Sequence, residues 1–244
     1  MAKVSAFPAP ISSRYPQARM STDVLSRPHA QRLASAQSVY RGPALWLYDT
    51  VVHGLSNPLA WRCPTHRLLD WYRGHLSANH LEAGVGTGFF PDHCAFPTSR
   101  PQLALLDLSP HCLRHAANRL ARYSPEICRA NLLQPLELDG PGFDSAALMY
   151  VMHCLPGAPA EKAAVFHHIA AVLNPGGSLV GATILGRSHR HSLAARRLLD
   201  VYNHRGIFNN AEDDRDWLDH ALASAFRSHE LHVVGSVALF AAHA

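Results

Sequence analysis

The chain has 244 residues, 48% hydrophobic and 16% charged, which is enough apolar material for a core and too much for a disordered chain. A formal net charge of +4, with no block of lysines and arginines, argues against a nucleic-acid partner. No stretch approaches the roughly 18 uninterrupted apolar residues of a membrane span.

Residues 1–30 are rich in proline and serine and lack a long apolar run, so they are expected to form a flexible leader and not a secretory signal. Residues 31–75 carry aromatic and apolar side chains at mixed helical spacing, among them Tyr40, Trp46, Tyr48 and Trp61. Gly42-Pro43 and Asn57-Pro58 break the pattern. This predicts a lid of short helices ahead of a core at 76–244, with a helix from Thr65 leading into the first strand. Strands are expected at 79–83 and 102–106, with a short helix at 90–94 between them. Pro110 opens a helix that places Leu113, Ala116, Ala117, Leu120 and Ala121 on one face. Further strands are expected at 126–129 and 143–151. A helix at 162–173 is stopped by Asn174-Pro175-Gly176-Gly177, and a strand follows at 178–184. A helix at 215–225 precedes two apolar runs, 229–234 and 237–242, joined by Gly235-Ser236. So short a link pairs them only as an antiparallel hairpin. The alternation predicts an α/β fold: a doubly wound, mostly parallel seven-stranded sheet with a C-terminal antiparallel hairpin and an N-terminal helical lid.

The stretch from His80 to Phe90, H-L-E-A-G-V-G-T-G-F-F, is the most informative part of the chain. Gly84, Gly86 and Gly88 follow Glu82, and a second acid, Asp107, closes the next apolar run. Glycines after a strand let a ligand approach the backbone, because no Cβ intervenes and positive φ is permitted. The helix that follows offers free N–H groups to an anionic ligand end. An acid at the end of the next strand can accept hydrogen bonds from both hydroxyls of a ribose. A nucleoside-containing ligand at the first βα turn fits these parts.

The spacing narrows the ligand. Dinucleotide sites carry G-x-G-x-x-G, whose third glycine would fall at Phe89 here. The E-x-G-x-G-x-G pattern, with an acid about 20 residues on, resembles motif I and the acidic loop of class I S-adenosylmethionine-dependent methyltransferases. The segments F-D-S-A-A-L-M-Y-V-M-H and L-N-P-G-G-S-L, and the reversed last strand, extend the resemblance from about residue 65 to 244. Its closest flavour is the ubiquinone/menaquinone-type group and its small-molecule relatives in natural-product pathways. The resemblance implies S-adenosyl-L-methionine as cofactor, with Glu82 near its methionine end and Asp107 on its ribose. It further implies Asn131 beside the adenine, Leu108 and Leu132 around the purine, Met149 and Tyr150 at the end of the fourth strand, and Tyr48 over the cofactor carboxylate. Glu82, Gly84, Gly86, Gly88, Asp107, Leu108, Asn131, Leu132, Met149, Tyr150 and Tyr48 are therefore the candidate cofactor residues.

His153 follows the fourth strand and is the candidate general base; its alternative is to line the pocket. The chain has 18 histidines, including His167-His168 and the pair His189 and His191, but none at the convergent spacing of a metal site, so no metal is expected. Cys63, Cys94, Cys112, Cys128 and Cys154 are scattered without a C-x-x-C, the pattern of reduced thiols in a cytoplasmic protein. The aromatic lid, with the segment 187–217, suits a small, aromatic or heterocyclic methyl acceptor. Nothing in the sequence fixes which atom is methylated or the oligomeric state. Two alternatives stand beside this: a nicotinamide-dependent oxidoreductase, disfavoured by Phe89 and the reversed hairpin, and a non-catalytic methyltransferase-like binding module.

Overall fold

A computed structural model describes residues 49–138, 140–188 and 191–244. The expected leader, the lid residues through Tyr48, and His189 lie outside the described residues. A wide π-helical segment, Thr50–Ala60, leads through Trp61 to α1 (Thr65–Arg73). The core then runs β1 (Asn79–Ala83), α2 (Phe89–His93), β2 (Gln102–Asp107), α3 (Pro110–Arg119), β3 (Glu126–Arg129), β4 (Phe143–Met149), α4 (Pro159–Ala170) and β5 (Leu173–Ile184). It closes with α5 (Leu193–His204), α6 (Arg215–Ala225), β6 (Ser228–Val234) and β7 (Val237–His243). The strands form one sheet in the order β3-β2-β1-β4-β5-β7-β6. All neighbours from β3 to β5 pair in parallel, and β7 runs antiparallel to both β5 and β6.

Burial on both faces explains the strand sequences. In β4, Ala146 and Leu148 join one apolar cluster while Ala147 and Met149 join another, so nearly every position is apolar. Phe166 of α4 and Leu218 of α6 pack with Leu81, Ala104 and Leu106 on one face. On the opposite face, α1 and α2 pack through Leu68, Tyr72 and Phe90, and Leu113 and Ala116 of α3 pack on Leu103 and Leu105.

Three boundaries depart from the expectation. β4 stops at Met149 and not at Val151, because Tyr150 turns into the left-handed region at φ 61. β5 begins at Leu173, ahead of the glycines: Phe143 pairs with Leu173 and Ser145 with Ser178, so Asn174-Pro175-Gly176-Gly177 is a bulge within the strand and not the end of a helix. The preceding helix accordingly ends earlier, at Ala170. Finally, α5 fills a stretch expected only as a cover. Ser192 caps it by accepting from the Ala195 N–H at 3.0 Å.

Candidate active site

Parallel strands leave their carboxyl ends on one edge, and the ligand groups gather there. The turn after β1 has φ 72 at Gly84, 54 at Gly86 and 73 at Gly88. Gly84 is also a close approach: a Cβ there would stand 2.5 Å from Val151 Cγ2. The Gly86 N–H donates to Asp107 Oδ2 at 3.1 Å, and the Ser109 N–H to Asp107 Oδ1 at 2.8 Å. One carboxylate thus ties the glycine turn to the loop after β2. Burial pushes the Asp107 carboxyl above its usual range, against the lowering effect of these N–H bonds.

Gly84, Gly86, Asp107, Leu108, Asn131, Leu132 and Tyr150 line one cavity, together with Ser109, Cys112, Ala130, Val151, Cys154 and Leu155. Its walls are mostly apolar, with one carboxylate and one carboxamide. Asn131 Oδ1 accepts from the Leu133 N–H at 3.1 Å, which fixes the loop and keeps the amide at the cavity. The sequence reading missed Ser109 and Cys112 as cavity walls. The signal for them was Ser-Pro ahead of an amphipathic run, since Ser109 Oγ caps α3 by accepting from the Cys112 N–H at 3.4 Å.

Not every expected residue joins this set. Glu82 does not line the cavity. It is buried on the α1 side, where its Oε2 accepts from the Tyr72 hydroxyl at 2.6 Å and lies 3.2 Å from His80 Nε2. Its role there is to brace β1 against α1. Met149 is core, packed with Trp61, Tyr72 and Ile184. Tyr48 lies outside the described residues, although its neighbour Asp49 accepts from the Thr87 hydroxyl at 2.7 Å.

His153 is poorly suited to the base role expected of it. It is buried, its Nδ1 accepts from the Ile184 N–H at 3.3 Å and lies 3.2 Å from Thr183 Oγ1. Burial, with a smaller push from the Lys162 charge, brings its pKa down to about 3. A site that holds imidazole neutral so strongly is a weak proton acceptor near neutrality. His153 instead supports the loop between α5 and α6: its ring meets Phe208 edge-on at 4.5 Å, and its carbonyl accepts from the Asn209 N–H at 2.8 Å.

That loop, residues 205–214, hangs on a buried ion pair. Lys162 Nζ, fully buried in α4, donates to both carboxylate oxygens of Asp213 and to the Asn209 carbonyl. The Asn210 amide donates to the Ile184 carbonyl at 2.8 Å. Phe208 packs on Trp61 and Tyr202, so Trp61 and this loop join one cluster.

Among the described residues no group of three or more His, Cys, Asp or Glu could hold a metal ion, and no helix is long and apolar enough to cross a membrane. The five thiols are unpaired. Burial pushes Cys63 and Cys128 to about 11, and Cys112 and Cys154 to about 12.

The same architecture recurs in known proteins. A family model described as a methyltransferase domain matches residues 81–179. The demethylluteothin O-methyltransferase of Streptomyces thioluteus is 39% identical over 212 residues, covering 87% of this chain and 92% of that protein. The physcion biosynthesis cluster O-methyltransferase of Aspergillus chevalieri is 34% identical, over 84% of this chain and 93% of the other. The crystal structure of the N-methyltransferase NodS from Bradyrhizobium japonicum, in complex with S-adenosyl-L-homocysteine, shares the fold with a TM-score of 0.59 at 16% identity, over 87% and 97% of the two chains. The chain belongs to the class I S-adenosylmethionine-dependent methyltransferases. It is an enzyme of that class with S-adenosyl-L-methionine as cofactor. This family assignment replaces the nicotinamide and non-catalytic alternatives.

Proposed function

We propose that the enzyme methylates an oxygen or nitrogen of a small aromatic or heterocyclic metabolite in a natural-product pathway of the cytoplasm, with the cofactor held at the turn 84–88. The observation that carries the placement is Asp107: its carboxylate fixes the glycine turn through Gly86 while lining an apolar slot. The carboxylate accepts backbone N–H groups and has lone-pair capacity left for a ribose hydroxyl. Leu108 and Leu132 suit the faces of a purine, and the Asn131 carboxamide can both donate and accept at its edge. Gly84 leaves the room a Cβ would take from Val151, so the slot stays open only with glycine there. Tyr48 and the lid 31–75 remain candidates to cover the methionine end. Glu82 would act there only through the strand it braces.

When bound, the cofactor supplies an electrophilic methyl group on a sulfonium sulfur. The chain's contribution is alignment and exclusion of water. With His153 unsuited to remove a proton, the acceptor best served is one that ionises by itself or needs no base: a phenol, a vinylogous acid or a ring nitrogen. Tyr150, on the cavity wall, offers an aromatic side chain to such a ring. The two O-methyltransferases of natural-product metabolism among the relatives above support a small-molecule acceptor.

The test has two parts. Calorimetry with S-adenosyl-L-homocysteine should show binding that Asp107→Ala weakens. Methyl transfer from labelled S-adenosylmethionine should then favour phenols and N-heterocycles over transfer RNA. Wild-type affinity in Asp107→Ala would remove the site, and preferential labelling of RNA would remove the substrate class.

A further inference from the structure

Thr87 is the middle of the glycine turn, flanked by Gly86 and Gly88, and it is buried. Its hydroxyl donates to Asp49 Oδ1 at 2.7 Å. Its carbonyl accepts from Arg119 Nη1 at 3.3 Å. The same Nη1 donates to Asp49 Oδ2 at 2.5 Å, and Arg119 Nε donates to Asp92 Oδ2 at 2.7 Å. Four separate pieces meet here: the segment that begins at Asp49, the glycine turn, α2 through Asp92, and the last turn of α3. Both oxygens of Asp49 are engaged, one by the turn and one by the helix whose first residues line the cavity. The side chains are only 17% exposed for Asp49 and 21% for Arg119, so solvent screens this pair less than a surface pair. Burial disfavours the charges, but the hydrogen bonds Arg119 donates to Asp92 and Asp49 leave its pKa raised, and those that Asp92 accepts from Arg119 and Arg122 leave the Asp92 pKa lowered.

We propose that Asp49, Thr87 and Arg119 form a latch that seats the segment beginning at Asp49, residues 49–60, on the glycine turn, and that these are positioning residues for cofactor binding. This rests on the placement of the cofactor at 84–88. A turn with positive φ at Gly84, Gly86 and Gly88 has many competing conformations in a free chain. Asp107 holds it from one side through Gly86, and the latch holds it from the other through Thr87. Whatever binds on the turn therefore stabilises the seated segment, and a seated segment in turn favours the bound turn, because linkage is reciprocal. The latch lies off the cavity wall, so it tunes affinity without touching the ligand.

The probe is S-adenosyl-L-homocysteine, titrated into the full chain by calorimetry, with limited proteolysis scored at residues 49–60. Thr87→Val keeps the shape and removes the hydroxyl. It should weaken binding about tenfold, the scale of one lost hydrogen bond to a charged group. Thr87→Ser should restore affinity to near wild type. Asp49→Asn and Arg119→Ala should weaken binding similarly. Each weakening variant should also lose the protection from protease that the ligand confers on 49–60, while the melting temperature falls by only a few degrees. Wild-type affinity and protection in Thr87→Val, alongside weakened binding in Asp107→Ala, would overturn the latch and leave the cofactor site standing. Unchanged binding in both variants would overturn the site itself, and the latch with it. A Thr87→Ser variant as weak as Thr87→Val would also overturn the latch, since the hydroxyl would then carry nothing.

Discussion

The two halves of the carboxyl edge are built by opposite means. Around β1 and β2, the cavity is shaped by backbone: glycines in left-handed conformations, N–H groups on Asp107, a capped α3. Around β4 and β5, the edge is built by side chains reaching far along the chain: Lys162 to Asp213, Asn210 to the Ile184 carbonyl, Phe208 on His153 and Trp61. Under the proposed function, the first half holds the cofactor. Under the same proposal, the second is the acceptor half. Substitutions in the first half should therefore reduce affinity and spare the fold, and substitutions in the second should do the reverse.

The largest effect is expected at Lys162. Lys162→Met strands the buried Asp213 carboxylate and should destabilise the protein by about 3–5 kcal/mol, the scale for breaking a buried pair. Replacing both partners with apolar residues should recover most of that loss. Urea unfolding measures it, and an unchanged midpoint in Lys162→Met would show that the pair does not hold the acceptor half. Next comes Gly86→Val, which forces a β-branched residue to φ 54. Strain and lost backbone approach should together remove about 3 kcal/mol of affinity for S-adenosyl-L-homocysteine. A folded Gly86→Val protein with unaltered affinity would erase the distinction between the halves.

Asp107→Ala should weaken cofactor binding by about 1.5–3 kcal/mol with little change in melting temperature. Its pH dependence sharpens the point. Burial raises the Asp107 pKa, so its ligand-accepting carboxylate is lost as pH falls through a value above the ordinary one. Affinity should fall with it, and Asp107→Asn should flatten that fall. The smallest effect is expected at His153. His153→Gln should lower turnover by less than about tenfold, below general-base magnitudes, and should leave the pH–rate profile unchanged. Its signature is in stability instead. The unfolded imidazole takes a proton near 6.5 and the folded one only near 3, so stability should decline as pH drops between those values. The variant should decline less. A hundredfold loss of turnover would reinstate His153 as a base.

The contrast between the halves also explains what the sequence disclosed. Gly84, Gly86, Gly88 and Asp107 are legible because turn chemistry is local: glycine at positive φ and an acid at a strand end act through neighbours in the chain. The central strands are legible because burial on both faces writes continuous apolar runs. Lys162 and Asp213 lie 51 residues apart, and Arg119 lies 70 from Asp49, so nothing local marks either partner. Glu82 is the converse case. Its place in the motif suggests a ligand, but its side chain alternates to the α1 face, where Tyr72 takes it. His153 misled by position: strand-end histidines invite catalysis, and only three-dimensional packing reveals how thoroughly this one is desolvated. The early start of β5 was hidden because a proline with two glycines signals a stop, whereas here the chain bulges and continues.

The placement of β7 has a consequence for the order of events during folding. β6 precedes β7 in the chain but meets the rest of the sheet only through it. β6 therefore has no edge to add to until β7 is in place. The Ser236 N–H donates to the Trp61 carbonyl at 2.8 Å, and a Cβ on Gly235 would stand 2.2 Å from that same oxygen. The tip of the hairpin is thus fitted to a residue more than a hundred positions earlier. A hairpin closes in microseconds, while contacts so distant in sequence close far more slowly. Pulse-labelled amides should show β6 acquiring protection together with β7 and never ahead of it. Protection of β6 alone would mean that it first finds a partner it later abandons. On the expected timetable, the front of the molecule is sealed last, when the hairpin's tip reaches Trp61.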